Sequence, residues 1–152
     1  MDIHVREAKQ HDLSFIFHAN REMAAETEGK ELDPLTLQRG IEAVLSDPTR
    51  GLYLVAECEG TQAGSLLVTS EWSDWRNGYF WWIQSVFVLP SRRGHGVYSA
   101  LHREVVQRAR ENREIRGIRL YVDGDNSHAR KVYEKLGMSL SNYHLMEQPL
   151  LR

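Results

Sequence analysis

The segment from Tyr79 to Val97 constrains this chain more than any other. Eleven residues, Tyr79-Phe80-Trp81-Trp82-Ile83-Gln84-Ser85-Val86-Phe87-Val88-Leu89, carry no charge and only Gln84 and Ser85 as strongly polar members. A strand with one face in water alternates apolar with polar residues, so a nearly continuous run predicts a central strand covered on both faces. Pro90 ends it. Gly94-His95-Gly96 then opens a helix whose apolar stripe is Val97, Ala100, Leu101, Val105 and Ala109. A strand that enters a glycine turn and then a helix presents backbone N–H groups and the positive end of the helix dipole, a site suited to a pyrophosphate. Gly94 and Gly96 let phosphate oxygens approach the backbone, and Arg92 or Arg93 adds charge. The same glycine pair also serves a strand-to-helix turn for geometric reasons alone.

The surrounding pattern supplies the remaining elements. Ile3 to Arg6 alternates as a short strand. Leu13, Ile16, Phe17, Asn20, Met23 and Ala24 recur at helical spacing and predict a helix over 12–26. Asp33-Pro34 is a cap followed by proline at the first helical position, and Leu37, Ile41, Val44 and Leu45 form the stripe of a second helix stopped at Asp47-Pro48. Strands are predicted over 52–57 and 64–70 around a Glu59-Gly60 turn, and Asn77-Gly78 marks a hairpin. Ile118 to Val122 is a further strand. Asn126 caps a helix with Ala129, Val132, Tyr133 and Leu136 on one face and Gly137 as its C-terminal stop. Residues 138–147 predict one or two closing strands. The expected fold is α/β: a mixed, mostly antiparallel twisted sheet with helices on both faces, built as one domain over 1–152.

Composition excludes several classes. At 152 residues, 41% hydrophobic and 26% charged, the chain suits a single globular core. No apolar run approaches the roughly 20 residues of a membrane span, and Met1-Asp2-Ile3-His4-Val5 lacks the build of a secretory signal. Cys58 is the one cysteine, which points to a reducing, cytoplasmic setting, and seven scattered histidines give no metal-ligand spacing. The net charge of −2 hides an acidic front (7 Lys/Arg and 14 Asp/Glu in 1–91) and a basic back (12 and 7 in 92–152). Eight arginines lie between Arg92 and Arg119, but three acids interrupt them and Tyr98 is the one aromatic among them that stands out for stacking, so nucleic acid is not the expected partner.

Two nucleotide-binding patterns do not fit. A dinucleotide fingerprint wants a third glycine where Ser99 stands, and a P-loop wants Gly-Lys-Ser/Thr after the glycines. Arg93-Gly94-His95-Gly96-Val97-Tyr98 instead resembles the Arg/Gln-x-x-Gly-x-Gly/Ala turn of the GCN5-related N-acetyltransferases, with Arg93 and Gly96 as anchors. Asn126-x-x-Ala129-x-x-x-Tyr133-Glu134-Lys135-Leu136-Gly137-Met138 resembles that family's second motif, and the element order agrees over nearly the whole chain. Tyr98 departs from the pattern, which has Gly or Ala there.

The resemblance implies acetyl-CoA as co-substrate and no metal. It implies that Val86, Phe87 and Val88 offer backbone groups to the pantetheine and thioester, and that Arg93, Gly94, His95, Gly96, Val97 and Tyr98 hold the pyrophosphate. Asn126 would bond the pantetheine arm, besides capping its helix. Tyr133 would approach the sulfur, although its place on an apolar stripe equally suits a core aromatic. Acetyl transfer to an amine needs a neutral amine, a polarised carbonyl and protonation of the leaving thiolate. Many family members place a glutamate on the central strand to take the amine proton. Gln84 stands there and can orient a water but cannot accept a proton. Candidate carboxylates for a cationic amine are Glu22, Glu26 and Glu28 at the end of the first helix and in its following loop, and Glu71 and Asp74 beside Trp72 and Trp75, whose indoles suit a cation; a hairpin tip with packed indoles and solvated acids has the same composition. The expected activity is acetyl transfer to a primary amine of a small, cationic acceptor, with no nucleic acid and no membrane, and a homodimer left open. The rival is a non-catalytic acyl-CoA-binding module of the same fold.

Overall fold

A computed structural model describes residues 2–152, and Met1, the first residue of the start considered above, lies outside them. Five strands run in the order β1 (Ile3–Glu7), β2 (Leu52–Cys58), β3 (Thr61–Ser73), β4 (Gly78–Val88) and β5 (Ile115–Leu120). Neighbours are antiparallel except β4 and β5, which are parallel, so the sheet is mixed and mostly antiparallel. Helices α1 (Leu13–Glu28) and α2 (Pro34–Ser46) sit between β1 and β2 in sequence, α3 (Val97–Glu111) joins β4 to β5, and α4 (Ser127–Lys135) follows β5. Among the described residues no helix is long and apolar enough to cross a membrane.

The chain packs as two compact units, residues 1–121 and 122–152. In the first, each sheet face has its own core. Leu54, Ala56, Leu66, Val68 and Ile83 pack with Val97, Leu101 and Val105 of α3. Tyr53 and Val55 pack on the other face with Ile16 of α1 and Ile41 of α2. β4 joins the first of these cores through Ile83, Trp81, Val86 and Val88, but none of its residues belongs to the second, and on that face Gln84 is exposed and Trp82 half-buried, so the cover on both faces that its apolar run predicts is only partial. Asp33 accepts the Thr36 N–H at 2.9 Å with Pro34 at the first helical position, so the second helix begins as its sequence predicts.

One buried polar network ties the first unit together. Asp12, whose side chain is fully buried, takes both Arg6 Nη groups (2.7 and 2.9 Å), the Lys9 N–H (2.7 Å) and Gln62 Nε2 (2.6 Å). Burial alone would raise its carboxyl pKa; the Arg6 hydrogen bonds, then Lys9 and Gln62, outweigh that and lower it to about 2.

The second unit holds α4 and a C-terminal segment. The closing strands predicted over 138–147 do not form: no described residue after β5 is in a strand. Period-two patterning shows that a segment can be a strand, but a ladder also needs a second backbone, and none pairs with this one. Leu140, Tyr143, Leu145 and Met146 are left exposed.

Candidate active site

The first unit's site grows from an interruption in β4. Ser85 has φ +53°, left-handed for a serine, and the β3–β4 register slips between Ser65 and Leu67, so Ser85 and Val86 together oppose Leu66. Pairing with β5 reaches only Ile83, opposite Leu120. From Gln84 to Val88, β4 therefore has a ladder on its β3 side alone. That stretch of backbone suits the extended arm of a ligand laid along it.

β4 leads through a 3-10 turn at Pro90–Arg92 to Gly94 (φ +79°) and Gly96 (φ +85°), the latter the N-cap of α3. A Cβ built on either glycine meets no heavy atom within 4 Å. The turn is thus open on the side where side chains would stand, and α3 begins directly behind it with the orphan N–H groups of any helix start. This cradle fits a pyrophosphate, and the half-paired strand before it fits the pantetheine arm of acetyl-CoA.

The predicted cofactor residues divide by what their side chains do. Gly94, His95 and Gly96 are exposed, whereas Val97 is buried in the α3-side core. Tyr98 packs against that same core, with its hydroxyl 2.9 Å from Nδ1 of buried His102. Its side chain is accounted for there, which explains how a tyrosine is accommodated at that position. Burial, with Arg103 nearby, lowers the His102 pKa. Arg93 donates Nε–H to the Val88 carbonyl (2.9 Å) and pairs with Glu26 of α1 (3.0 Å). In this conformation its guanidinium serves α1 and β4, so an anion in the turn would meet backbone N–H groups rather than this side chain.

The acceptor candidates do not gather as sequence proximity suggests. Glu26 is taken by Arg93, and Glu28 lies 3.9 Å from Lys30. Glu71 accepts Trp82 Nε1–H at 2.6 Å and stands 3.5 Å from Arg119. Trp72, the next residue of β3, points to the opposite sheet face and packs edge-on against Tyr79. Asp74 accepts the Trp75 N–H inside the hairpin turn, and Trp75 is 87% exposed. Gln84 donates to Thr69 Oγ1 at 2.5 Å, on the same face as Glu71. Sequence reasoning passed over Thr69, Trp82, Arg119 and Tyr121, which share that face; their partners are 11 to 48 residues away, beyond any local pattern. A groove of about 340 Å³ lined by His18, Arg21, Glu22, Ala25 and Lys30 lies on the side of α1 turned from its buried residues.

In the second unit, Asn126 caps α4 by accepting the Ala129 N–H at 3.0 Å. Tyr133 lies two turns further on, half-buried, and burial raises its phenol pKa.

A solved chain from Clostridium difficile 630 described as a possible acetyltransferase is 39% identical, with 99% of each chain covered and a TM-score of 0.91. A predicted acetyltransferase of Clostridium acetobutylicum, solved with acetyl-CoA, shares the fold at 21% identity, with a TM-score of 0.77 and 97% and 96% of the two chains covered. Mycothiol acetyltransferase of Corynebacterium aurimucosum is 32% identical over 111 residues, which is 71% of this chain but 36% of that protein's length. A model of the acetyltransferase (GNAT) family matches residues 13–138. With that match across both units, and with the half-paired strand and glycine turn in place, the chain belongs to the GNAT family of acetyltransferases, whose general chemistry is acetyl transfer from acetyl-CoA.

Proposed function

We propose that the protein transfers the acetyl group of acetyl-CoA directly to a primary amine of a small acceptor. The observation that carries this reading is the stretch of β4 from Gln84 to Val88, half-paired after the Ser85 bulge and leading straight into the open Gly94–Gly96 turn. Val86 and Phe87, with Val88, would hold the pantetheine arm through the backbone, and the Arg93–Tyr98 turn would hold the pyrophosphate through N–H groups. By the resemblance of the second motif, Asn126 would bond the pantetheine arm and Tyr133 would approach the sulfur.

Acetyl-CoA supplies, when bound, a thioester carbonyl and a thiol leaving group. The chain's own task is to manage protons around them. Gln84, fixed by Thr69, would position a water that takes the amine proton and passes it to solvent as the C–N bond forms and the C–S bond breaks. Tyr133 keeps its phenol proton through neutral pH, because burial disfavours the phenolate, and would donate it from Oη to the departing sulfur.

Gln84 in place of a carboxylate also favours the second reading, a module that binds acyl-CoA without turnover. Free thiol release, measured with acetyl-CoA and a panel of primary amines, separates the two. Amine-dependent release supports transfer. Stabilisation by acetyl-CoA with no release from any amine supports the binding module, and neither effect sinks both.

A further inference from the structure

The sheet face that bears Gln84 continues past it into side chains that acetyl transfer itself leaves unused. Same-face residues of β4 follow at steps of about 7 Å, first Trp82 and then Phe80. The Trp82 indole stacks on Tyr121 with centroids 4.6 Å apart and an interplanar angle of 27°, and its N–H is held by Glu71 at 2.6 Å. Arg119, in register with Trp82, lies with its guanidinium carbon 3.5 Å from the centre of the Phe80 ring. That ring rests on Gly117, where a Cβ would stand 2.8 Å away. The guanidinium is therefore held at a fixed height and orientation.

Its donors are not consumed. Among the described residues, the acid within ion-pair distance of Arg119 is Glu71 at 3.5 Å, through the oxygen that already accepts the indole N–H, and no acceptor meets hydrogen-bond geometry with it. Arg76 lies 4.8 Å from the same Phe80 ring and has no acid within ion-pair distance among the described residues. Two arginines thus lie against one ring, with one acid, Glu71, beside Arg119, while Arg76 donates to Ser73 Oγ at 3.3 Å. Arg119 is 31% exposed and Tyr121 60% exposed, so both are reachable from solvent. A planar fork held on a ring is suited to a carboxylate or phosphate.

We infer that this face is the acceptor subsite and that the acceptor carries an anionic group, carboxylate or phosphate, bound by Arg119 while its body lies on Trp82 and Tyr121. The inference rests on the acetyl-transfer reading, which puts the amine near Gln84. Arg119 stands one strand across and one same-face step along from Gln84, so amine and anion are separated by about 7–10 Å. A spacer of four or five carbons spans this. The acceptor is then a zwitterion, its cationic amine at one end and its anion at the other.

The test compares 5-aminopentanoate, its amide, 1,5-diaminopentane and 3-aminopropyl phosphate, by thiol release and by calorimetric binding in the presence of coenzyme A. The wild type should favour the anionic amines by about 10- to 100-fold in kcat/KM, and carboxylate against phosphate identifies the anion. Arg119→Gln should remove that preference while leaving the amide and the acetyl-CoA KM unchanged, and Arg119→Lys should restore part of it. Equal rates for anionic, neutral and dicationic amines, or an equal loss for all of them in Arg119→Gln, overturn the inference while transfer stands. Selective binding of the anionic amines without turnover, lost in Arg119→Gln, upholds the subsite and sinks transfer; neither binding nor turnover sinks both.

Discussion

Replacing Gly96 with valine tests the cofactor site most directly, because the structure separates its two costs. Gly96 sits at φ +85°, where an L-residue pays about 1–2 kcal/mol of backbone strain. No heavy atom lies within 4 Å of the added Cβ, so packing in the unliganded protein adds nothing further. For a chain of this size each kcal/mol moves Tm by about 2–4 °C, so the variant should melt roughly 2–8 °C below wild type. Acetyl-CoA at about 100 times its Kd stabilises wild type by about 2.7 kcal/mol, or roughly 5–11 °C. In the variant the valine side chain stands where the phosphate must approach, so that ligand-induced rise should vanish. Gly60→Val is the control. Its φ of +81° and equally open surroundings give the same strain at the β2–β3 turn, outside the Gly94–Gly96 turn, and its acetyl-CoA shift should remain full. Thermal melts of the three proteins with and without acetyl-CoA decide it. A Gly96→Val protein that keeps the wild-type shift, or a Gly60→Val protein that loses it, refutes the assignment of the turn.

Two further outcomes follow from the named groups. Asp12 has a folded pKa of about 2 against an ordinary 3.8, so its stabilisation is present above the unfolded pKa and is lost as pH falls from about 4 to 2; urea unfolding should show a loss of roughly 2–3 kcal/mol across that window in wild type, and Asp12→Asn should lack that step and be about 3 kcal/mol less stable at pH 7. Tyr133→Phe should lower kcat by about 10²–10⁴-fold with the acetyl-CoA KM little changed, and a folded variant with wild-type turnover in a chemistry-limited assay would return Tyr133 to a packing role.

What the sequence made legible was local. The Tyr79–Leu89 run announced a central strand, though not that its Gln84 face is only partly covered, Asp33-Pro34 announced a helix start, and Gly94-His95-Gly96 announced the turn. Each signal lies within a dozen residues of its consequence. The acceptor side was not legible in this way. Glu26 and Arg93 are 67 residues apart, and Glu71 meets Trp82 and Arg119 from two other strands. Acids that count as available charge in a sequence are, once folded, the partners of arginines. The segment 138–147 failed for a related reason, since its alternation says nothing of whether another backbone is there to receive it.

The Ser85 bulge shows the limit most clearly. Strict alternation along β4 would put Val86 and Val88 on the face of Trp82 and Gln84, and Phe87 with Trp81 and Ile83. The inserted residue reverses the parity. Trp81, Ile83, Val86 and Val88 all pack toward α3, while Trp82, Gln84 and Phe87 share the face of α1, where Arg93 stacks on Phe87 and pairs with Glu26. A run apolar at nearly every position tolerates such a slip, because either face accepts whichever side chain arrives. The composition that makes β4 easy to recognise therefore hides its register. The slip is also what permits a site. It changes the strand's course at Ser85, immediately after the last pairing with β5 at Ile83, and a regular strand in the same place would have every reason to continue that ladder. The half-paired backbone from Gln84 to Val88 thus follows from a distortion set by the β3–β4 pairing, and no residue within β4 announces it.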